Sequence, residues 1–515
     1  MSRPFFVLKH LKNLTSMSFR DAKHREISFL TSISRSRFLT CPFGASFRMT
    51  QGKQFFRCLV LIFFSFSHFA FPQSGTNTQY FRDGFLDTLE QRTFNYFWNC
   101  VDPATGLTPD RYPTKTFSST AAIGFALTSY GIGAERKYVT RQAAAERVLT
   151  TIRYLYLLPQ SDAMMGAGGY RGYFYHFLDL KTGTRFNRNI ELSTIDTALL
   201  LAGVLFCQSY FNNDDPAEKE IRAYADSMFR RVDWKWLQAR PPLISMGWFP
   251  DKGIHTSDWR GYDESMILHI LALGSPTHAV DENTWSGYTK NFQWLSYFGK
   301  EFISFGPLFG HQYSQAWIDF RGIRDAYMRQ KGIDYFENSR RATLTHQSYA
   351  ISNPKKMNGY SEFIWGFTAC DGPADETRTI DGVSRRFSSY SARGVSADWV
   401  NDDGTIAPTA VGSSVAFAPE ICIPALKNIR NRVAGVWSDY GFLDAFNLSY
   451  ITDATPAGWI DRDYLGIDQG PIVIMIENLR SGLVWNVMKK NPYIVKGLQR
   501  AGFTGGWLDS IPQKK

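Results

Sequence analysis

At 515 residues the chain is long enough for two or three average domains or for one large helical barrel. Its net charge of +10 looks at first like a nucleic-acid signature, but residues 1–57 hold 11 Lys or Arg against two acids, and the rest carries 46 basic and 45 acidic residues. A body so close to neutral has no electrostatic footprint for a phosphate backbone.

In chain order, the basic leader reads as targeting sequence. From Met49, "MTQGKQFFR" is short and positive, "CLVLIFFSFSHFAF" is hydrophobic and "PQSGTNTQ" is a polar exit, the order of a secretory signal peptide with cleavage expected between Ala70 and Ser74. Residues 1–48 show no packing pattern, so they are expected to be an over-extended N-terminus, with 49–74 the signal peptide and 75–515 a single secreted or periplasmic domain. Cys58 opens the hydrophobic segment, which argues against a lipoprotein anchor, and no later apolar run reaches the roughly 18 residues that span a bilayer. The four cysteines beyond it, Cys100, Cys207, Cys370 and Cys422, lack any CxxC spacing, and a zinc site is not expected.

From residue 84 the apolar spacing is helical. It predicts helices over 85–101, 118–132, 139–158, 194–211, 216–231, 264–273, 289–302, 313–330, 333–351, 416–431, 470–488 and 492–502. Between them lie loops rich in Gly, Pro, Asp and Trp, such as "ISMGWFPDKGIHTSDWRGYDE" and "GWIDRDYLGIDQG". About twelve helices without a strict repeat suggest an all-α fold, an (α/α)6 double ring of six helical hairpins with long loops at one end. Short strands are expected between 370 and 412, where Gly, Ser and Thr replace the helical pattern.

Acids recur beside aromatics at the loop-to-helix junctions. "TPDRYPT" offers Asp110 and Arg111, "NIELSTID" Glu191 and Asp196, and "DWRGYDESM" Asp258, Trp259, Arg260, Tyr262, Asp263 and Glu264. Further on come Asp371 and Asp375 in "TACDGPAD", Glu420 in "FAPEI", Asp444 in "GFLDAFN" and Asp468 in "YLGIDQGP". A ring of helices would gather alternate junctions at one end, so that distant acids share a cleft. Glycoside hydrolysis uses such acids in pairs: one protonates the leaving oxygen, the other activates water or attacks the sugar. A bland reading stands beside each. Ser193 and Asp196 have capping-box spacing, Asp263 also suits a helix start, and Asp468 could shape a turn. Glu264, between an aromatic loop and "SMILHILALG", is harder to reduce to a cap.

Other residues suit sugar recognition. "PLFGHQYSQAWIDFRGIRD" places His311, Gln312 and Tyr313 at a helix start, and Trp248, Trp259, Trp365 and Trp459 lie in polar loops where an indole could stack on a sugar face. Each could equally pack beneath its own loop. There is no GxSxG, P-loop, HExxH, EF-hand spacing or strand-linked Rossmann fingerprint.

The motifs "TPDRYPTKTFSSTAAIGFAL", "NIELSTIDTALLLAG", "DWRGYDESMIL", "PLFGHQYSQAWIDFRGIRDAYM", "WGFTACDGP", "YGFLDAFN" and "YLGIDQGPIVIMIEN" occur in order. Over residues 84–508 the chain resembles the bacterial glucoamylase-like family that includes the endo-β-1,2-glucanases. The resemblance implies an (α/α)6 barrel, export, and anomer-inverting hydrolysis of β-1,2-glucan to short sophoro-oligosaccharides. It supports Glu191, Asp196 and Glu264 as the acids nearest the chemistry, with Glu264 as general acid and Asp196 as the base or water-positioning carboxylate. An inverting pair stands roughly 6.5–9.5 Å apart, a retaining pair about 5 Å. No cofactor or metal is expected, and the partner is a β-glucan polysaccharide or oligosaccharide bound by a monomer. Two rivals remain: an exo-acting glucosidase or transglycosylase on the same scaffold, and a non-catalytic glycan-binding protein.

Overall fold

The structure is a computed structural model that describes residues 83–380 and 382–511. The expected over-extended N-terminus and signal peptide lie outside the described residues, all of which fall within one compact unit. The fold is mainly helical, with many short strands.

Several helices have no polar face. Helix α1 (Gly84–Asn99) precedes α2 (Thr120–Glu135), which is buried from Thr120 to Gly133. After α3 (Arg141–Leu157), α4 (Thr194–Tyr210) is buried along almost its whole length, whereas α5 (Pro216–Arg230) hides only one stripe, including Ile221, Ala225, Met228 and Phe229. A helix that is apolar all round belongs inside, and a striped one lies over it. Accordingly α2 packs on α4, and α5 packs on α3. The α2–α4 crossing is a backbone contact: a Cβ on Gly124 would stand 2.2 Å from the Leu199 carbonyl oxygen, and one on Gly203 would stand 2.1 Å from the Gly124 carbonyl oxygen.

The chain continues through α6 (Met266–Gly274), α7 (Thr284–Thr289), α8 (Phe309–Trp317), α9 (Ala326–Lys331), α10 (Tyr335–Ser352), α11 (Pro408–Gly412) and α12 (Pro419–Arg432). It ends with α13 (Gly466–Arg480), α14 (Leu483–Met488) and α15 (Pro492–Arg500). Helices α6 and α13 are buried almost throughout; α15 covers α6, and α13 packs on α1 and α2.

Short strand pairs tie the starts of the inner helices together. Arg111 pairs with Leu465 just ahead of α13, and Ser119 pairs with Phe177 just ahead of α2. Leu192, ahead of α4, pairs with Tyr175 on one side and Trp248 on the other. The first N–H of α2, on Thr120, donates to the His176 carbonyl at 3.1 Å, so an otherwise unpaired helix-end donor is satisfied by a neighbouring strand. At their other ends, α2 and α13 meet α1 in a buried ion network, with Arg136 2.5 Å from Glu477 and Arg480 2.6 Å from Glu90. Arginines at helix C-termini complement the helix dipole.

Three expected helices are corrected. Residues 289–302 instead make a hairpin, Trp294–Tyr297 against Lys300–Ile303, turned at Phe298 and Gly299 with φ of +47° and +72°. The stretch 313–330 breaks after Trp317, where Ile318 is extended and Gly322 has φ +75°. The helix over 470–488 divides at Gly482, φ +69°, into α13 and α14. The strands expected in 370–412 are present, among them Thr377–Ile380 and Val383–Arg386.

Candidate active site

The starts of α2, α4 and α13 are linked by backbone hydrogen bonds from Gly466 to Asp110, from Asp110 to Phe117, from Thr120 to His176 and from His176 to Glu191, so the acids preceding and opening these helices converge. Arg111 is the cation among them. Its Nη1 lies 2.6 Å from Asp371 and 3.9 Å from Asp463, and its Nε is 3.3 Å from Asp110. The backbone N–H of Asp371 donates to Asp444 at 2.8 Å, and that of Asp444 donates to the Asp463 carbonyl at 2.9 Å. Asp468 lies in the first turn of α13, where the helix dipole favours negative charge.

One guanidinium does not balance so many carboxyls, and protons make up part of the difference. Asp444 and Asp468 are buried and close enough for each to act on the other's proton. Burial, reinforced by the charge of neighbouring acids, holds Asp444 far above the usual carboxylate range and Asp468 at about 7. Asp461 is pushed to about 8, first by burial and then by Asp444 and Asp371. Two carboxyls in contact cannot both ionise cheaply, so the pair titrates as a unit. Carboxylate oxygens of Asp371, Asp444 and Asp461 lie within 4.8 Å of one another, a spacing that a hard cation could also bridge.

A second cluster adjoins the first. Glu191 and Asp196 flank His176, at 2.8 Å from Nδ1 and 3.5 Å from Nε2. Half of the capping box that the spacing suggested is formed, with Ser193 as the cap: Ser193 Oγ accepts the Asp196 N–H at 3.2 Å and donates to the Asp196 carboxylate at 2.5 Å. The carboxylate thus holds the capping hydroxyl of α4 and also faces the histidine. Burial raises the Asp196 carboxyl against the opposing pull of His176, whereas for Glu191 the histidine outweighs burial and the carboxyl is lowered. Asp110 lies within electrostatic reach of His176 and of Asp371, and so joins the clusters. The Tyr313 hydroxyl lies in the combined field of Asp468, Tyr390, Glu264 and Asp444, which places half-buried Glu264 at the same site.

Glu191, Asp196, Glu264, Asp110, Arg111, Tyr313, Asp371 and Asp468 are therefore brought together. Other candidates have structural duties instead. Asp263 accepts from Ser265 N–H, Ser265 Oγ and Tyr288 at the start of α6. Trp259 is buried and donates Nε1 to Thr194 at 2.9 Å, fixing the start of α4. Tyr262 packs among Phe292, Phe305, His311 and Tyr335. Burial depresses His311 to about 4, so it is a neutral core residue bonded to the Phe305 carbonyl. Gln312 donates to Ala410 and Ser414, joining α8 to α11. Trp365 is wholly inside the main hydrophobic core. Trp248 pairs with Leu192 and packs against Tyr170 and, edge-on, Trp236; strand alternation turns it away from the face of Ser193 and Glu191. Glu420, at the start of α12, pairs with Arg340 at 2.6 Å, and Arg260 leans on Asp258 at 3.3 Å with its side chain 48% exposed.

His176, Asp461, Asp463 and Tyr390 also belong to the site, although none is among the residues expected from sequence. The signal for two of them was present in "GWIDRDYLGIDQG", three aspartates in eight residues before an apolar helix. His176 in "GYFYHF" gave none, because its partners are reached only through strand pairing.

Residues 256–492 match the Glycoamylase family model, described as "Putative glucoamylase". A solved glucoamylase-like protein from Bacteroides uniformis is 31% identical over 82% of this chain and 98% of its own, with a TM-score of 0.71. The chain belongs to the glucoamylase-like family. Among other solved structures, the endo-β-1,2-glucanase of Chitinophaga pinensis, in complex with sophorotriose and glucose, shares 27% identity with this glucoamylase-like chain. The match covers 82% of this chain and 98% of that one, with a TM-score of 0.71. A curated relative from Parabacteroides distasonis, an exo β-1,2-glucooligosaccharide sophorohydrolase acting at the non-reducing end, is 28% identical over 449 residues. That match takes in 81% of this chain, which spans 57% of the relative's length.

Proposed function

We propose that this glucoamylase-like chain is an exported glycoside hydrolase that cuts β-1,2-glucan internally on an (α/α)6 barrel and releases short sophoro-oligosaccharides by inversion. The observation that carries the reading is the convergence of carboxyl groups with opposite proton affinities. Glu191 is held ionised, while Asp468 and Asp461 keep protons near neutral pH. Hydrolysis needs both kinds at once.

In this account Glu264 gives its proton to the leaving glycosidic oxygen as the C1–O bond breaks. Asp196 takes a proton from the water whose oxygen forms the new bond to C1, and a proton passed back to Glu264 closes the cycle. Asp468 and Asp444, which act with Glu264 on the Tyr313 hydroxyl, supply a proton reserve, and Asp110, Arg111, Asp371 and Tyr313 offer hydrogen bonds to sugar hydroxyls. The relatives named above support β-1,2-glucan as the substrate.

The curated exo-acting relative favours a second reading, release of disaccharide from a chain end. To test both, the chain expressed from residue 75 is incubated with linear β-1,2-, β-1,3- and α-1,4-glucans. Cleavage of the β-1,2 polymer alone is expected, with rapid loss of polymer length. Disaccharide accumulating beside intact polymer would select the exo reading, and no cleavage would refute hydrolysis of this linkage.

A further inference from the structure

His176 stands at the centre of the second cluster with both ring nitrogens facing carboxylates, Nδ1 2.8 Å from Glu191 Oε1 and Nε2 3.5 Å from Asp196 Oδ1. The ring is held in this plane. It stacks on Phe177 at 3.9 Å with an interplanar angle of 21°, its backbone N–H donates to the Glu191 carbonyl at 3.0 Å, and its own carbonyl accepts from Thr120. The partners are held too, since Asp196 is bonded to Ser193. Gly247 packs near Glu191, where a Cβ would lie 3.6 Å from Glu191 Cγ.

An ionised carboxylate can only accept hydrogen bonds, and a neutral imidazole has only one N–H. A neutral ring would satisfy one neighbour and set a lone pair against the other. With both carboxyls ionised, only the doubly protonated ring serves both. The charged groups facing His176 are Glu191, Asp196 and Asp110, and Arg111 acts on Asp110 from the adjacent position. His255 acts on Glu191 from beyond the strand Gly247–Phe249.

We propose that His176 is a positioning residue: as an imidazolium it donates to Glu191 and Asp196 together, fixes both carboxylates for the reaction, and by losing its proton adds the last step to the alkaline fall of turnover, beyond those of Asp468 and Asp461. Burial alone would lower its proton affinity, but the acids, Asp196 and Glu191 foremost, raise it to about 9. Above that pH one of the two contacts is lost. The part that concerns turnover rests on the hydrolase reading; the double donation does not.

Two measurements on the chain from residue 75 test it separately. The first is an NMR titration of the His176 ring, assigned by the signal missing from His176→Asn. The expected result is imidazolium-type nitrogen shifts at pH 7 and a midpoint near 9. A neutral ring at pH 7, or a midpoint near the ordinary 6.5, would overturn the proposal whether or not the protein cleaves glucan. The second is kcat against pH on β-1,2-glucan. His176→Asn and His176→Gln, each keeping an N–H toward only one carboxylate, should lower kcat by about tenfold or more with a smaller change in KM, and should lose the last alkaline step. His176→Ala should recover part of its rate with added imidazole. A variant that keeps the last alkaline step of the wild type would overturn the role in turnover. A wild type with no activity would refute the hydrolase reading while the titration still decides the double donation.

Discussion

Arg111 Nη1 and Asp371 Oδ2 meet at 2.6 Å across 260 residues of chain, and this pair closes the acid-lined site. The same guanidinium serves Asp110 and Asp463, so its removal leaves three carboxyls with one cation fewer. Arg111→Ala is expected to cost about 2 kcal/mol or more of stability, below the figure for a fully buried pair because the side chain is 21% exposed. Arg111→Lys keeps the charge but not the forked geometry and should recover only part of it. Denaturant melts of both variants check this; an Ala variant as stable as the wild type would show that the cluster does not depend on its arginine.

The proton-holding acids predict how stability varies with pH. In the unfolded chain Asp461 and Asp468 release their protons near the ordinary 3.8, whereas in the folded chain they keep them to about 8 and 7. The folded state therefore binds more protons through that window, and stability falls as pH rises across it. His176 adds a term of the same sign between 6.5 and about 9, while lowered Glu191 contributes stability that is lost only as pH falls below its ordinary 4.5. The melting temperature should decline from pH 5 to pH 9, and Asp461→Asn or Asp468→Asn should flatten the decline. A melting temperature that climbs over this range would contradict the assignment.

If protons rather than a bound cation relieve the repulsion among Asp371, Asp444 and Asp461, neither a chelator nor added calcium should move the melting temperature at pH 6. A calcium-dependent rise of several degrees would instead place a cation at those three oxygens.

At the α2–α4 crossing there is no room for a methyl group. Gly124→Ala would push a Cβ to 2.2 Å from the Leu199 carbonyl oxygen, so the helices must separate. The expected loss is about 1–3 kcal/mol, read from equilibrium unfolding. Unchanged stability would mean that the two helices are less rigidly packed than their buried surfaces imply.

Much of this was legible in the sequence because apolar helices announce themselves. The boundaries of α3, α4, α5 and α10 lie within two residues of the expected ones, and the Ser193–Asp196 cap follows from spacing alone. Errors came where a local turn overrode the apolar pattern, as at Phe298–Gly299, Gly322 and Gly482. At the site, acids at helix starts were visible as a class. Their grouping was not, because Arg111 reaches Asp371 and Asp463 through strand pairs that bring distant segments together. The aromatics misled for a general reason. Trp259, Trp365 and Tyr262 sit among polar residues in sequence, but large rings fill the space beneath long loops, and that burial cannot be told from a sugar platform without the fold.

The central claim is that the acid cluster hydrolyses β-1,2-glucan, and its most direct test is the rate of reducing-end release from the linear polymer by the wild type, Glu264→Gln and Asp468→Asn. The account predicts short β-1,2-linked products from the wild type and a fall of roughly 100-fold or more in both variants, with their circular dichroism unchanged. A wild type that binds the polymer without releasing product, or variants that cleave it at the wild-type rate, would contradict it.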